Sequence, residues 1–195
     1  WSGTEALRSD SVSEIVLDKG ELHIHLNGAV PAKTVLEILG DEGTEIITDF
    51  NPERDLVRRS PCSSLAEYLV PWQLLRRLPK REENLRRLVV AVVSNLHTNG
   101  VRFVELRSSV LYLAAIQECS VPEALNRLIT CINQATELYA MQWGLILTVT
   151  RGDYSSVHLA ALLSAYDALG RSKHVVGIDL AGDEEVSYPT ELPSL

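Results

Sequence analysis

The sequence predicts an α/β fold of parallel strands joined by crossover helices, and within that class a (β/α)8 TIM barrel rather than a doubly wound sheet. Three observations carry this. Apolar, β-branched runs alternate with stretches of helical period in the order strand, long helical excursion, strand, helix, strand, helix, strand. Polar residues gather at the C-terminal ends of the strands, the rim where a barrel keeps its chemistry: His23, His25 and Asn27; Glu105 and Arg107; Thr148, Thr150 and Arg151; Asp179 and Asp183. No G-x-G-x-x-G or Walker sequence opens a helix, so a dinucleotide or P-loop site has no support.

The elements follow in order. Residues 1–18 are polar and read as a lead-in segment. Residues 21–27 read as a strand. After Pro31, residues 32–39 carry apolar side chains at helical spacing up to Gly40. Residues 40–63, rich in Asp, Glu, Gly, Pro and Ser around a short apolar Ile46-Ile47, read as a long irregular connection, a kind that is usually functional or disordered. Residues 64–70 read as helix interrupted at Pro71-Trp72. Residues 81–99 give a strong helix, with Leu85, Leu88, Val89, Val92, Val93 and Leu96 in period and Asn99-Gly100 as its stop. Strands at 101–106, 144–150 and 175–181 alternate with helices at 122–139 and 156–169, the latter stopped by Gly170. The 144–150 strand is continuously apolar, as a fully buried strand is.

With 195 residues and 46% hydrophobic content the chain can bury one sizeable core. A full barrel takes about 250 residues, so four or so βα units are expected. The net charge of −8 argues against general binding to a nucleic-acid duplex. The locally basic Arg76, Arg77, Lys80, Arg81, Arg86 and Arg87 fit the solvated face of a helix, with Leu74, Leu75, Leu78, Leu85 and Leu88 opposite. Cys62, Cys119 and Cys131 lie far apart and read as free thiols of a reducing compartment. No apolar run reaches transmembrane length and no signal-peptide pattern opens the chain. A cytoplasmic protein without membrane partners is the expectation. A first residue of Trp1 rather than Met suggests a processed, trimmed or partial chain.

The most informative run is Glu21-Leu22-His23-Ile24-His25-Leu26-Asn27-Gly28-Ala29. On a strand, residues two apart point to one face, so His23 and His25 aim together at a strand end. Two imidazoles so placed suit one metal ion and hydrolytic chemistry. A solvated edge strand is the plain alternative.

Three motifs together resemble the adenosine deaminase family of metal-dependent amidohydrolases. Residues 21–29 resemble its first strand, Val101-Arg102-Phe103-Val104-Glu105-Leu106-Arg107 its second, and Val176-Gly177-Ile178-Asp179-Leu180-Ala181-Gly182-Asp183-Glu184 its fourth. The resemblance covers about residues 19–189 and implies the N-terminal half of a barrel of the metal-dependent hydrolase type over 19–195, with a helical lid insertion at about 40–80. It implies His23 and His25 as the first two ligands of one Zn2+, and Gly182 as a backbone N–H donor to the purine ring. Leu65, Tyr68 and Trp72 become candidates for the apolar wall under the lid, with plain core packing as the alternative for each. Asn27 stands where the family commonly has an aspartate that contacts ribose. A neutral amide can donate to a phosphate without charge repulsion, so the resemblance leaves adenosine and an adenine nucleotide such as AMP or N6-modified AMP both open.

The family's later motifs, a His-Ala-Gly-Glu segment, a further histidine and an Asp-Asp pair, are absent from this sequence, and His97, His158 and His174 read as structural or solvated. No catalytic residue is therefore expected within the segment, and the zinc ligand set would be completed by residues beyond Leu195. The activity implied is hydrolytic loss of the purine 6-amino group, by a longer or assembled enzyme. The partners implied are a purine nucleoside or nucleotide and the remainder of the barrel, in the same or another chain, a homo-oligomer included. Two alternatives stay open: a non-catalytic half-barrel acting through protein contacts, and another amidohydrolase opening a cyclic amide. The Ala181-Gly182-Asp183-Glu184 segment argues for the deaminase branch over the latter.

Overall fold

The computed structural model describes residues 18–45, 50–57 and 60–184. Nearly all of the lead-in, and Ile46-Ile47, lie outside the described residues. Strands β1 (Lys19–His25), β2 (Val101–Ser108), β3 (Gln142–Thr150) and β4 (Val175–Ala181) pair in parallel in the order β1-β2-β3-β4. Helices α1 (Ala32–Glu42), α2 (Pro52–Asp55), α3 (Leu65–Leu69), α4 (Trp72–Leu75) and α5 (Glu82–Thr98) separate β1 from β2. Helices α6 (Val110–Ile116) and α7 (Val121–Leu138) separate β2 from β3, and α8 (Ser155–Ala168) separates β3 from β4. Because every strand runs the same way, all four C-terminal ends meet at one rim.

The helices cover one face of the sheet. Leu145, Leu147 and Val149 of β3 are buried in one core with Leu125, Leu128 and Ile132 of α7 and Leu162 of α8. Burying each such leucine contributes about 1.5–3 kcal/mol. Helix α7 starts where it does because Ser120 and Glu123 form a capping box. The Ser120 side chain accepts from the Glu123 N–H, and the Glu123 carboxylate accepts from the Ser120 N–H at 2.9 Å. Helix α5 is seated by Glu42 at the end of α1, whose carboxylate accepts from the N–H groups of Lys80 and Arg81 and from the Asn84 amide. A carboxylate there satisfies orphan donors and favours the positive end of the helix.

Several element bounds differ from the sequence pattern. β1 stops at His25, because Leu26 turns out of the strand after its N–H donates to the Arg107 carbonyl at 2.8 Å, and residues Asn27–Ala29 form a 3-10 turn. α1 runs through Gly40 and ends at Gly43, which takes the left-handed conformation at φ 56°. The basic 74–88 stretch is not one helix face. A turn over 76–81 divides it between α4 and α5, although Leu74, Leu75, Leu78, Leu85 and Leu88 are all buried. The irregular 40–63 connection holds the short α2, and α6 fills a stretch just after β2. Among the described residues no helix is long and apolar enough to cross a membrane.

All three cysteines are free, and only Cys131 is fully buried. Burial raises its thiol pKa, which keeps it protonated and inert. With Ellman's reagent in native buffer, Cys62 and Cys119 are expected to react and Cys131 to react only after denaturant is added. Three equally fast thiols would contradict this burial.

Candidate functional site

β1 delivers His23 and His25 to the rim, their ring centroids 5.8 Å apart and edge-on at 61°. Beyond them the chain turns sharply, and α4 folds back over the turn. Trp72 of α4 stands edge-on to His25 at 5.6 Å. The same indole crosses Gly28 so closely that a Cβ there would lie 3.0 Å from the ring. Glycine at 28 is what lets α4 approach the turn after β1.

Asn27 fastens this contact. Its side-chain nitrogen donates to the Leu75 carbonyl at 2.8 Å and to the Leu78 carbonyl at 3.0 Å. The flipped amide would set oxygen against two carbonyl oxygens, so the hydrogen-bond network orients the group. Both amide protons are thereby spent on these two carbonyls, and Asn27 Oδ1 is left as an acceptor.

A cavity of about 700 Å³ opens at the rim, within the usual range for small-molecule sites. His23, His25, Asn27, Leu65, Tyr68, Trp72 and Gly182 all line it. Gly182 follows β4 at φ 124°, a conformation that side chains rarely adopt, and lies in the cavity lining. Leu65 and Tyr68 are exposed on the α3 side of the cavity, so they are not packed core residues. Helix α4 and its C-cap bring Gln73 and the exposed Arg76 to the lining, and α6 brings Tyr112 and Leu113. These last two were missed in the sequence. A short helix directly after a rim strand was their only signal.

The floor is polar. Arg107 and Asp179 form an ion pair at 3.5 Å across β3, and the buried Thr148, in register with Asp179, also lines the cavity. His25 is half-buried, and burial pushes its pKa below the ordinary histidine value, with Asp179 opposing and His23 and Arg107 adding to the fall. Its imidazole is thus neutral near pH 7, the form that binds a metal. Two imidazoles on one strand fit part of a zinc ligand set. Among the described residues no group of three or more His, Cys, Asp or Glu is close enough to complete one.

The adenosine deaminase family profile matches residues 18–194. The chain belongs to the adenosine deaminase family. It is 30% identical over 175 residues to an adenosine deaminase of Clostridium perfringens, covering 86% of this chain and 50% of that protein. To an adenosine deaminase of Clostridium botulinum it is 28% identical over 182 residues, covering 89% and 52%. The chain therefore spans about half the length of the curated relatives it matches. Among solved structures, an amidohydrolase of Burkholderia ambifaria with bound zinc superposes with a TM-score of 0.72 at 22% identity, covering 87% of this chain and 45% of that one. The N6-methyl-AMP deaminase of Arabidopsis thaliana superposes at 0.65 with 25% identity, covering 88% and 51%. An ADAL–IMP complex does so at 0.71 with 25% identity, covering 88% and 52%. The four-stranded parallel sheet is accordingly a partial (β/α) barrel.

Proposed function

We propose that the chain supplies the metal strand, lid and purine cradle of a zinc-dependent deaminase that removes the 6-amino group of adenosine or an adenine nucleotide. The observation that carries this reading is the meeting of the His23/His25 pair, the Asn27 turn, the lid and Gly182 around one cavity. His23 and His25 hold the zinc, with further ligands from residues outside those described here. A bound zinc supplies a water acidic enough to give hydroxide at neutral pH. The chain's own side chains do the rest of the positioning. The backbone N–H of Gly182 is offered to the purine, and Asn27 Oδ1 accepts from a ribose hydroxyl. Trp72, Leu65 and Tyr68 keep water from the base.

Arg76, exposed at the lid edge of the cavity, is the cation placed to meet a 5′-phosphate once the Asn27 amide is committed to the lid. The likeness to the N6-methyl-AMP deaminase and to the ADAL–IMP complex supports the nucleotide arm of the proposal. The remainder of the barrel is the macromolecular partner. Leu22 on β1 and Val176 and Ile178 on β4 are exposed apolar residues on the two outermost strands, where further strands and helices would cover them.

The test is ammonia release from adenosine, AMP and N6-methyl-AMP (methylamine for the last), with zinc content measured on the same preparation. The proposal is wrong if the zinc-loaded, fully assembled protein turns over none of the three. Ring opening of a cyclic amide by that preparation would instead support the other amidohydrolase branch.

A further inference from the structure

The pairing of β1 with β2 is irregular at two places, between Lys19 and Gly20 and between Glu21 and Ile24, and the second lies beside the histidine pair. Glu21 stands opposite Val104 and Ile24 opposite Leu106, so β1 spends one more residue than β2 over that interval. The surplus falls at Leu22 and His23, and the peptide unit between them bonds to side chains. Its carbonyl accepts from Arg107 Nη1 at 2.7 Å, and its N–H donates to the Glu21 carboxylate at 3.0 Å. Extra residues of this kind bend a strand and re-aim a side chain, and they recur beside active sites. Here the re-aimed residue is His23.

Arg107 is well placed to hold that peptide. It stands opposite His25 in the register, so its backbone and side chain brace both ends of the histidine pair. Its side chain is largely buried, and its Nε faces the Asp179 carboxylate at 3.5 Å without a hydrogen-bond partner of its own. One guanidinium therefore reaches from β2 to the β1 main chain on one side and to β4 on the other, passing over β3. A planar fork with donors on two sides can do this, whereas an ammonium on a flexible stem can satisfy only one end well.

We infer that Arg107 is a positioning residue for the metal strand: it clamps the Leu22–His23 peptide against Asp179 and so sets the angle at which His23 meets the ion. The inference rests on the proposed reading of His23 and His25 as ligands. Partners that orient metal ligands typically change metal affinity by about 10–100-fold when removed.

The experiment is a zinc titration against a chromophoric chelator, with the parent protein, R107Q and R107K. It is run well below the thermal midpoint of each zinc-free form, so that loss of fold does not register as loss of affinity. The expected order of affinity is parent, then R107K, then R107Q, with R107Q about tenfold or more weaker than the parent. R107Q matching the parent overturns the clamp. If R107Q does not fold, R107K decides: a several-fold weakening supports the clamp, and an affinity within about twofold of the parent overturns it. A parent that takes up no zinc sinks the ligand reading itself, an outcome distinct from the loss of the clamp alone.

Discussion

Alanine at His25 is expected to abolish stoichiometric zinc uptake and to lower deamination by about a thousandfold or more, since an ion's stabilisation of developing charge is worth several kcal/mol of barrier. The measurement is metal analysis after gel filtration, paired with ammonia release. His25 is the more telling of the two histidines because it is half-buried against Trp72, whereas His23 is exposed. The substitution also changes a pH dependence with a definite sign. Burial holds the His25 pKa below the ordinary value. The unfolded chain then binds the proton more readily, so the stability this histidine contributes is present above its unfolded pKa, near 6.5, and is lost as the pH falls towards the depressed folded value. Zinc uptake falls in the same direction, because proton and metal compete for one nitrogen. H25A is expected to lack this part of the acid sensitivity. Full zinc uptake by H25A, or a parent whose uptake improves on acidification, would contradict the assignment.

Aspartate at Asn27 is the second substitution with a large expected effect. A carboxylate cannot donate, so the carbonyls of Leu75 and Leu78 would lose their side-chain partner and face a negative charge instead. Leaving such groups unsatisfied costs about 1–3 kcal/mol, and the cost falls on the docking of the lid. Arg76, Arg77 and Lys80 lie exposed in the turn that Asn27 holds. N27D is therefore expected to be cut by trypsin in the 76–81 turn several-fold faster than the parent, with a smaller change in overall thermal midpoint. Cleavage at the parental rate would show that the lid does not depend on this amide.

Much of this was legible in the sequence, for reasons that can be assigned to residues. The period-2 run of β1 and the apolar run of β3 need only local geometry to be read, and β4 begins and ends where its β-branched residues and Gly182 place it. The histidine pair was visible because strand alternation alone puts both rings on one face. What the sequence hid depends on contacts between distant segments. Asn27 looked like a group free to meet a ligand, but its partners lie in the lid, 48 and 51 residues away. The basic 74–88 stretch has a helical period on both sides of a turn that Asn27 and Glu42 stabilise from outside it. Helix α6, Val-Leu-Tyr-Leu-Ala-Ala-Ile, is nearly uniform in hydrophobicity, so it carries no period to distinguish it from a buried strand. Arg107 and Asp179 were legible as rim residues, but not as a pair reaching across β3.

The length of the excursion between β1 and β2 bears on the order in which the molecule assembles. The β3-to-β4 connection carries only α8 and the β2-to-β3 connection only α6 and α7, whereas among the described residues five α-helices intervene before β1 finds its neighbour. Contacts between segments close in sequence form soonest, because less chain entropy is lost in bringing them together. A nucleus of β2, β3 and β4 under α7 and α8 is therefore expected first, with β1 and its histidines arriving last. β1 is also the less buried strand, with most of its residues exposed, while β3 is covered along most of its length. In native-state hydrogen exchange the β1 amides should open at lower free energy than those of β3. The His23/His25 half of the candidate site would then be a late, locally reversible addition to a core that already stands.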